Sequence, residues 1–168
     1  MTSTLTYLPD KGFTINDRFL SWGLDRTIVR EMLGGNFKDS DHTTDLSNYH
    51  NGNHEFDIIQ RRDIYKNYND CNNFFFLKYN SEHSLMELEI SDGFIIEIHD
   101  TKIRFNITIA EAVLSLRTLS DKYTELSEGE YLFADLKLVV ASSEAMGGGG
   151  DTVSYFYCSS DITHLLGS

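Results

Sequence analysis

Apolar residues along this chain recur with two different spacings. In Leu24-Asp-Arg-Thr-Ile-Val-Arg-Glu-Met-Leu-Gly-Gly35 the spacing is helical, with Ile28, Val29, Met32 and Leu33 on one stripe. Asp25 is placed to cap that helix, Leu24 to fold back onto Val29, and Gly34-Gly35 to stop it. A second helix is predicted after Thr108. Thr108 and Glu111 make a capping-box pair there, and Ile107 can staple onto Ala112. Its buried stripe is Ala112, Val113, Leu116 and Leu119, with Leu114 at the edge.

Elsewhere the pattern favours strands. Phe74 to Tyr79, Leu85 to Ile90 and Phe94 to His99 are apolar runs separated by turn residues. They predict an antiparallel meander with a tight turn at Ser91-Asp92-Gly93. Lys102 to Phe105 follows as a short strand, Tyr131 to Ala141 reads as one long strand, and Thr152 to Cys158 as the last. Residues 57–69 fit either period, and their β-branched and aromatic content favours a strand. Residues 36–56, rich in Asp, Asn and His, predict a long polar loop; 144–151, with four consecutive glycines, predicts another. The expectation is an α+β fold in which residues 1–168 make a single domain. Its antiparallel sheet would hold about five to seven strands, with the helices packed on it.

Composition narrows the functions open to such a fold. The chain has 168 residues, 40% of them hydrophobic. A chain of that length buries about 70% of its unfolded surface without help from a metal or disulfide. Fourteen Lys+Arg against 26 Asp+Glu give a formal charge of −12. That charge repels nucleic acid and anionic lipid and attracts a basic protein. No apolar run is long enough to cross a bilayer, and the first nine residues carry neither a basic start nor a signal-length apolar core. A cytoplasmic location is therefore expected. Cys71 and Cys158 form no CxxC and read as idle thiols, Cys71 in a polar turn and Cys158 facing the core.

Candidate chemistry is sparse. The run Met146-Gly-Gly-Gly-Gly-Asp151 lacks the Lys and Ser/Thr of a phosphate loop. Neither Ser nor Cys lies in a nucleophile motif. His42, His50 and His54, with Asp45 and Asp57, could meet on a metal if their loop folds back, although Asn51-Gly52-Asn53 argues against helical pairing of the histidines. Strand alternation sends Met86, Leu88 and Ile90 to one face and Glu87 and Glu89 to the other. Pairing across the Ser91-Asp92-Gly93 turn then adds Glu97 to the acidic face, with Asp92 beside it as a further candidate for partner contact. Like charges crowded on a sheet destabilise it, and a hydrolase site, a divalent-metal site or a surface that meets a basic partner would each be a reason to keep them. A second acidic and aromatic region holds Asp57, Asp63, Tyr65, Tyr68 and Asp70, a mixture suited to an interface because aromatics anchor and charges steer. These residues predict a binding protein with no enzymatic activity, cofactor or metal.

Gly12-Phe-Thr-Ile-Asn16, followed by Trp22-Gly-Leu-Asp-Arg-Thr-Ile-Val-Arg-Glu-Met-Leu-Gly34, resembles the opening of bacterial immunity proteins of contact-dependent growth inhibition and related polymorphic toxin systems. Phe74-Phe-Phe-Leu-Lys-Tyr79 and Leu85-Met-Glu-Leu-Glu-Ile90 are similar to their sheet segments, so the resemblance spans roughly residues 10–100. It implies a cytosolic, monomeric protein that binds a cognate basic toxin domain, often a DNase or RNase, in a 1:1 complex and blocks its active site. It carries over no individual binding residue. The alternatives are a small metal-dependent hydrolase built on His42, His50 and His54, and a ligand-binding or adaptor module with a pocket between the second helix and the sheet.

Overall fold

Strand pairing starts at the N-terminus, earlier than the apolar pattern predicts. A computed structural model, which describes residues 2–167, places β1 (Ser3–Leu8), β2 (Gly12–Ile15) and β3 (Arg18–Ser21) in an antiparallel ribbon. Helix α1 (Arg26–Leu33) follows. Next, β4 (Phe37–Asp39) and β5 (His42–Thr44) lie end to end along one edge of β6 (Ile58–Lys66). The remaining elements are β7 (Phe74–Tyr79), β8 (Leu85–Asp92), β9 (Phe94–Ile98), β10 (Thr101–Arg104), α2 (Ile109–Leu116), β11 (Thr124–Ser127), β12 (Glu130–Phe133), β13 (Leu138–Ser142) and β14 (Val153–Ser159). The fold is α+β and mainly antiparallel, as expected, but its strands are more numerous and form two sheets. A five-stranded sheet has the order β10-β9-β1-β2-β3, and a nine-stranded sheet runs β11-β12-β13-β14-β8-β7-β6-β4, with β5 also on β6. Among the described residues no helix is long and apolar enough to cross a membrane.

Three expectations about local structure change. First, β8 and β9 are not a hairpin. Gly93 lets the chain leave one sheet for the other, and β9 then pairs parallel with β1. Gly93 has φ +87°, and a Cβ there would collide with the Asn72 carbonyl, so the crossing requires glycine. Second, the long strand expected over 131–141 is broken by a 3-10 turn at Ala134–Leu136, with Lys137 at φ +50° folding it into the β12-β13 hairpin. Third, the polar segment 36–56 contains β4, β5 and two 3-10 turns, because β6 supplies a partner that sequence alone does not name.

The sheets meet face to face. Leu5, Tyr7, Phe13, Ile15 and Leu20 of the small sheet share one core with Phe75, Leu77, Leu88, Ile90, Val140 and Phe156 of the large one. Tyr7 spans the interface: its ring meets Phe156 edge-on, and its hydroxyl donates to the Leu136 carbonyl at 2.7 Å. Helix α1 contacts β3 and α2 contacts β10, so the helices close the two edges of the small sheet. Both begin as the sequence predicts, with Asp25 capping α1 and Thr108–Glu111 forming the capping box of α2. Arg18 of β3 donates to the Met32 and Leu33 carbonyls and so completes the C-terminal end of α1. Cys71, expected in an accessible turn, is buried, as is Cys158.

One ion cluster fastens α1 to the large sheet. Asp63 of β6 has no solvent exposure, and Arg26 and Arg30 of α1 each reach its Oδ1 at 2.6 Å. Arg26 also grips Asp41 with two hydrogen bonds of 2.8 and 2.9 Å, and Arg30 reaches Asp39 at 3.2 Å. Burial alone would raise the Asp63 carboxyl, but the Arg30 and Arg26 guanidinium groups hold it below its usual range. Hydrogen bonding from Arg26 is the main reason that Asp41 is held down at about 2.

Removing this carboxylate takes the fully buried counter-charge from both Arg26 and Arg30, so Asp63→Ala is expected to cost about 3–5 kcal/mol in urea unfolding. Because the folded-state pKa values of Asp41 and Asp63 are depressed, the native state binds fewer protons than the unfolded chain in acid. The stability they contribute is complete above the ordinary carboxylate pKa of about 4 and is lost as pH falls towards 2. Unfolding free energies measured from neutral pH down to that limit will show the decline, and Asp63→Asn will flatten it.

Candidate functional site

Strand alternation fixes what the outer face of the large sheet carries. Leu77, Leu88, Ile90, Phe156 and Cys158 point to the core, so Lys78, Glu87, Glu89, Tyr155 and Tyr157 point the other way. These five side chains form the floor of a groove of about 560 Å³. Its walls come from opposite ends of the chain. On one side β5 and the start of β6 supply His42, Thr44, Ile58 and Ile59; on the other, the turn Thr163–Leu165 supplies His164 and Leu165.

The floor is a connected polar network. Lys78 stands directly across from Glu87 in the β7–β8 register and diagonally, two pairs along, from Glu89. Its Nζ lies 3.5 Å from Glu87 and 3.4 Å from Glu89. From β14, the Tyr157 hydroxyl donates to Glu87 at 3.0 Å and the Tyr155 hydroxyl to Glu89 at 2.7 Å. Tyr157 also lies 3.3 Å from His164 Nε2. Burial first, and then the adjoining carboxylates, hold both phenols protonated far above their usual range, so they serve as donors. Glu87 and Glu89 are only 12% and 16% exposed, which makes the lysine and the tyrosines the counterparts that let two acids share one strand face.

A register shift between Lys78 and Tyr79 explains a difference from strict alternation. It turns Leu85 into the core and leaves Met86 in the groove, where alternation from Leu88 and Ile90 predicts the reverse.

The wall made by β5 and β6 is an arm. β6 pairs with β7 only from Arg61 onwards, so among the described residues Ile58 to Gln60 run past the sheet with β5 as their one strand partner. Ile58 is 60% and Ile59 49% exposed, and Tyr49 and Phe56 in the preceding turns are exposed as well. Four large apolar side chains are thus exposed within eleven residues of chain.

Of the partner-contact residues singled out from sequence, the groove gathers Glu87 and Glu89 alone. Glu97 lies on the small sheet, paired with Lys102 at 2.9 Å, because β8 and β9 belong to different sheets. Asp92 is exposed at the end of β8 and accepts from the Gly93 amide, and Asp70 is exposed in a turn. Asp63, Tyr65 and Tyr68 are corrections: all three are buried, Asp63 between two arginines, Tyr65 stacked on Phe75, and Tyr68 donating to the Leu33 carbonyl. A partner cannot touch them in the folded chain. Asp57 stands at the base of the 45–57 loop, where it accepts from the Leu46 amide at 2.8 Å. The histidines separate. His54 faces Asp45 and Asp57, His50 stacks on Phe56, and His42 lines the groove.

Sequence reasoning missed Lys78, Tyr155, Tyr157, the isoleucine arm and His164. Two signals were present: a single lysine inside Phe74-Phe-Phe-Leu-Lys-Tyr79, and two tyrosines alternating with Phe156 and Cys158. The groove is not the pocket between α2 and the sheet that would favour a ligand-binding module, since α2 contributes nothing to its lining. Comparison of the chain with protein-family models, curated proteins and solved structures finds no match.

Lys78→Met is expected to cost about 1–3 kcal/mol, because it strands two largely buried carboxylates. In a Glu87→Gln, Glu89→Gln background the same change will cost far less, since neutral amides need no counter-charge and still accept from the tyrosines. Urea unfolding of the four proteins measures the coupling; equal costs in both backgrounds would show that Lys78 acts by packing alone.

Proposed function

We propose that this protein is a non-enzymatic immunity protein that binds a basic toxin domain through the groove and the isoleucine arm. The observation that carries the reading is the juxtaposition of an acid-bearing, tyrosine-rich floor with a projecting wall of exposed Ile58 and Ile59. Apolar anchors beside steering charges are what a high-affinity protein interface uses. The net charge of −12 adds a long-range attraction for a cationic nuclease domain, whose phosphate-binding surface is basic. Such a partner acts on nucleic acid, which places its inhibitor in the cytoplasm. A 1:1 complex suits one groove per chain.

The arm also fits strand addition, since β5 has β6 on one side and an open edge on the other. Because the glutamates are already tied to Lys78 and the tyrosines, the arm supplies the larger share of binding free energy and the acids set orientation and rate.

A second reading rests on the groove volume of about 560 Å³, which is within the range of small-molecule pockets. A ligand-binding module would be stabilised against heat by small polar metabolites without any protein partner.

Co-expression with the basic toxin domain encoded beside this chain, followed by calorimetry of the purified pair, tests the first reading. The expected result is a tight, salt-sensitive complex that silences the toxin. Ile58→Asp with Ile59→Asp should weaken it about 100-fold or more, two anchors at ~1–2 kcal/mol or more each, without lowering the melting temperature. Glu87→Gln with Glu89→Gln should slow association and reduce its salt dependence. Absence of a complex, together with undiminished toxicity, would overturn the reading.

A further inference from the structure

We propose that Asp45, His54 and Asp57 form a binding site for a divalent transition-metal ion, with zinc the metal that best fits the donors. The three residues enclose the 45–57 loop. Asp45 follows β5, His54 opens a 3-10 turn, and Asp57 immediately precedes Ile58 of the arm. One donor atom from each lies within 4.8 Å of the other two.

The separations suit a shared ion. His54 Nδ1 is 2.9 Å from Asp57 Oδ2 and 3.6 Å from Asp45 Oδ1. Two bonds of about 2.1 Å from zinc place their donor atoms about 3.0 Å apart at a right angle and about 3.4 Å apart at the tetrahedral angle. The observed edges bracket those values. One imidazole nitrogen and two carboxylates are also a donor set that zinc accepts.

The carboxylates are held in place before any ion arrives. The Ser47 amide donates to Asp45 at 2.8 Å and the Leu46 amide to Asp57 at 2.8 Å, the outer hydrogen bonds that orient metal ligands. A simple ion pair does not require this arrangement. His54 Nδ1 carries at most one proton and needs one carboxylate, yet two acids converge on it. Asp45 and His54 are exposed, leaving the remaining coordination positions open to water.

Bound there, the ion ties both ends of the loop together at the outer end of the arm, where Thr44 pairs with Ile58. The site is independent of the proposed function: a chain that binds zinc and no toxin, or the converse, separates the two. The test is calorimetric titration of the metal-free full chain with zinc chloride in a weakly coordinating buffer. The expected result is one ion per chain, with affinity reduced about tenfold or more by His54→Ala and by Asp45→Asn, and unchanged by His50→Ala. Asp45→Asn keeps an oxygen for the Ser47 amide, so the loop survives while the charged donor is lost. Zinc should also slow chymotrypsin cleavage after the exposed Tyr49, and each metal-free variant should melt with the parent. Absence of saturable binding, or binding that His54→Ala leaves intact, would overturn the proposal.

Discussion

A carboxylate with no access to water organises the edge of this molecule from which the groove wall is built. Asp63 is held by Arg26 and Arg30, and through them α1, β6 and the acids flanking the β4–β5 junction become one unit. Taking three or more charges out of water is unfavourable unless each finds its counterpart, and here each does. The apolar cladding matters as much, because Arg26 lies over Tyr79 and Arg30 over Phe37, so their hydrocarbon and planar surfaces pack while their N–H groups bond. The arm that projects beyond β7 has no core of its own. Its root is this cluster.

The large sheet then serves two purposes with its two faces. The inner face is apolar and makes the core with β1, β2 and the helices. The outer face assembles a chain of polar contacts from His164 through Tyr157, Glu87, Lys78 and Glu89 to Tyr155. Such a network is specific because each member satisfies its neighbour and none can be exchanged alone. It gives the groove a floor that is preorganised, where a cluster of free glutamates would be mobile and solvated. Recognition by this surface would accordingly depend on shape and anchors first and on charge second.

Local signals in the sequence were read well, and long-range ones were not. The two helices, their caps and the run Phe74–Ile90 follow from spacing and capping chemistry confined to a few residues, and the structure keeps them. The hairpin expected at Ser91-Asp92-Gly93 fails because a turn signature and a sheet-to-sheet crossing use the same residues, and only the distant β1 decides between them. The segment 36–56 read as loop because its strands are short and polar, and their pairing with β6 is a tertiary fact. Asp63, Tyr65 and Tyr68 looked like an interface because acids and tyrosines in a strand carry no mark of which side is covered. Glu87 and Glu89 were legible by alternation; Lys78 and the tyrosines that hold them required the register of β7 and β14.

The parallel pairing of β1 with β9 has a consequence for how the chain is made. β1 spans residues 3–8, and its parallel partner is synthesised only when residues 94–98 appear. Until then the N-terminal ribbon keeps an unpaired edge, and Tyr7 waits longer still for the carbonyl of Leu136. Contacts between such distant residues make folding slow, since the chain entropy of closing the loop is spent before the contact forms. The core shared by the two sheets, which includes Val140, Phe156 and Cys158, is therefore completed only long after β1 itself has been made.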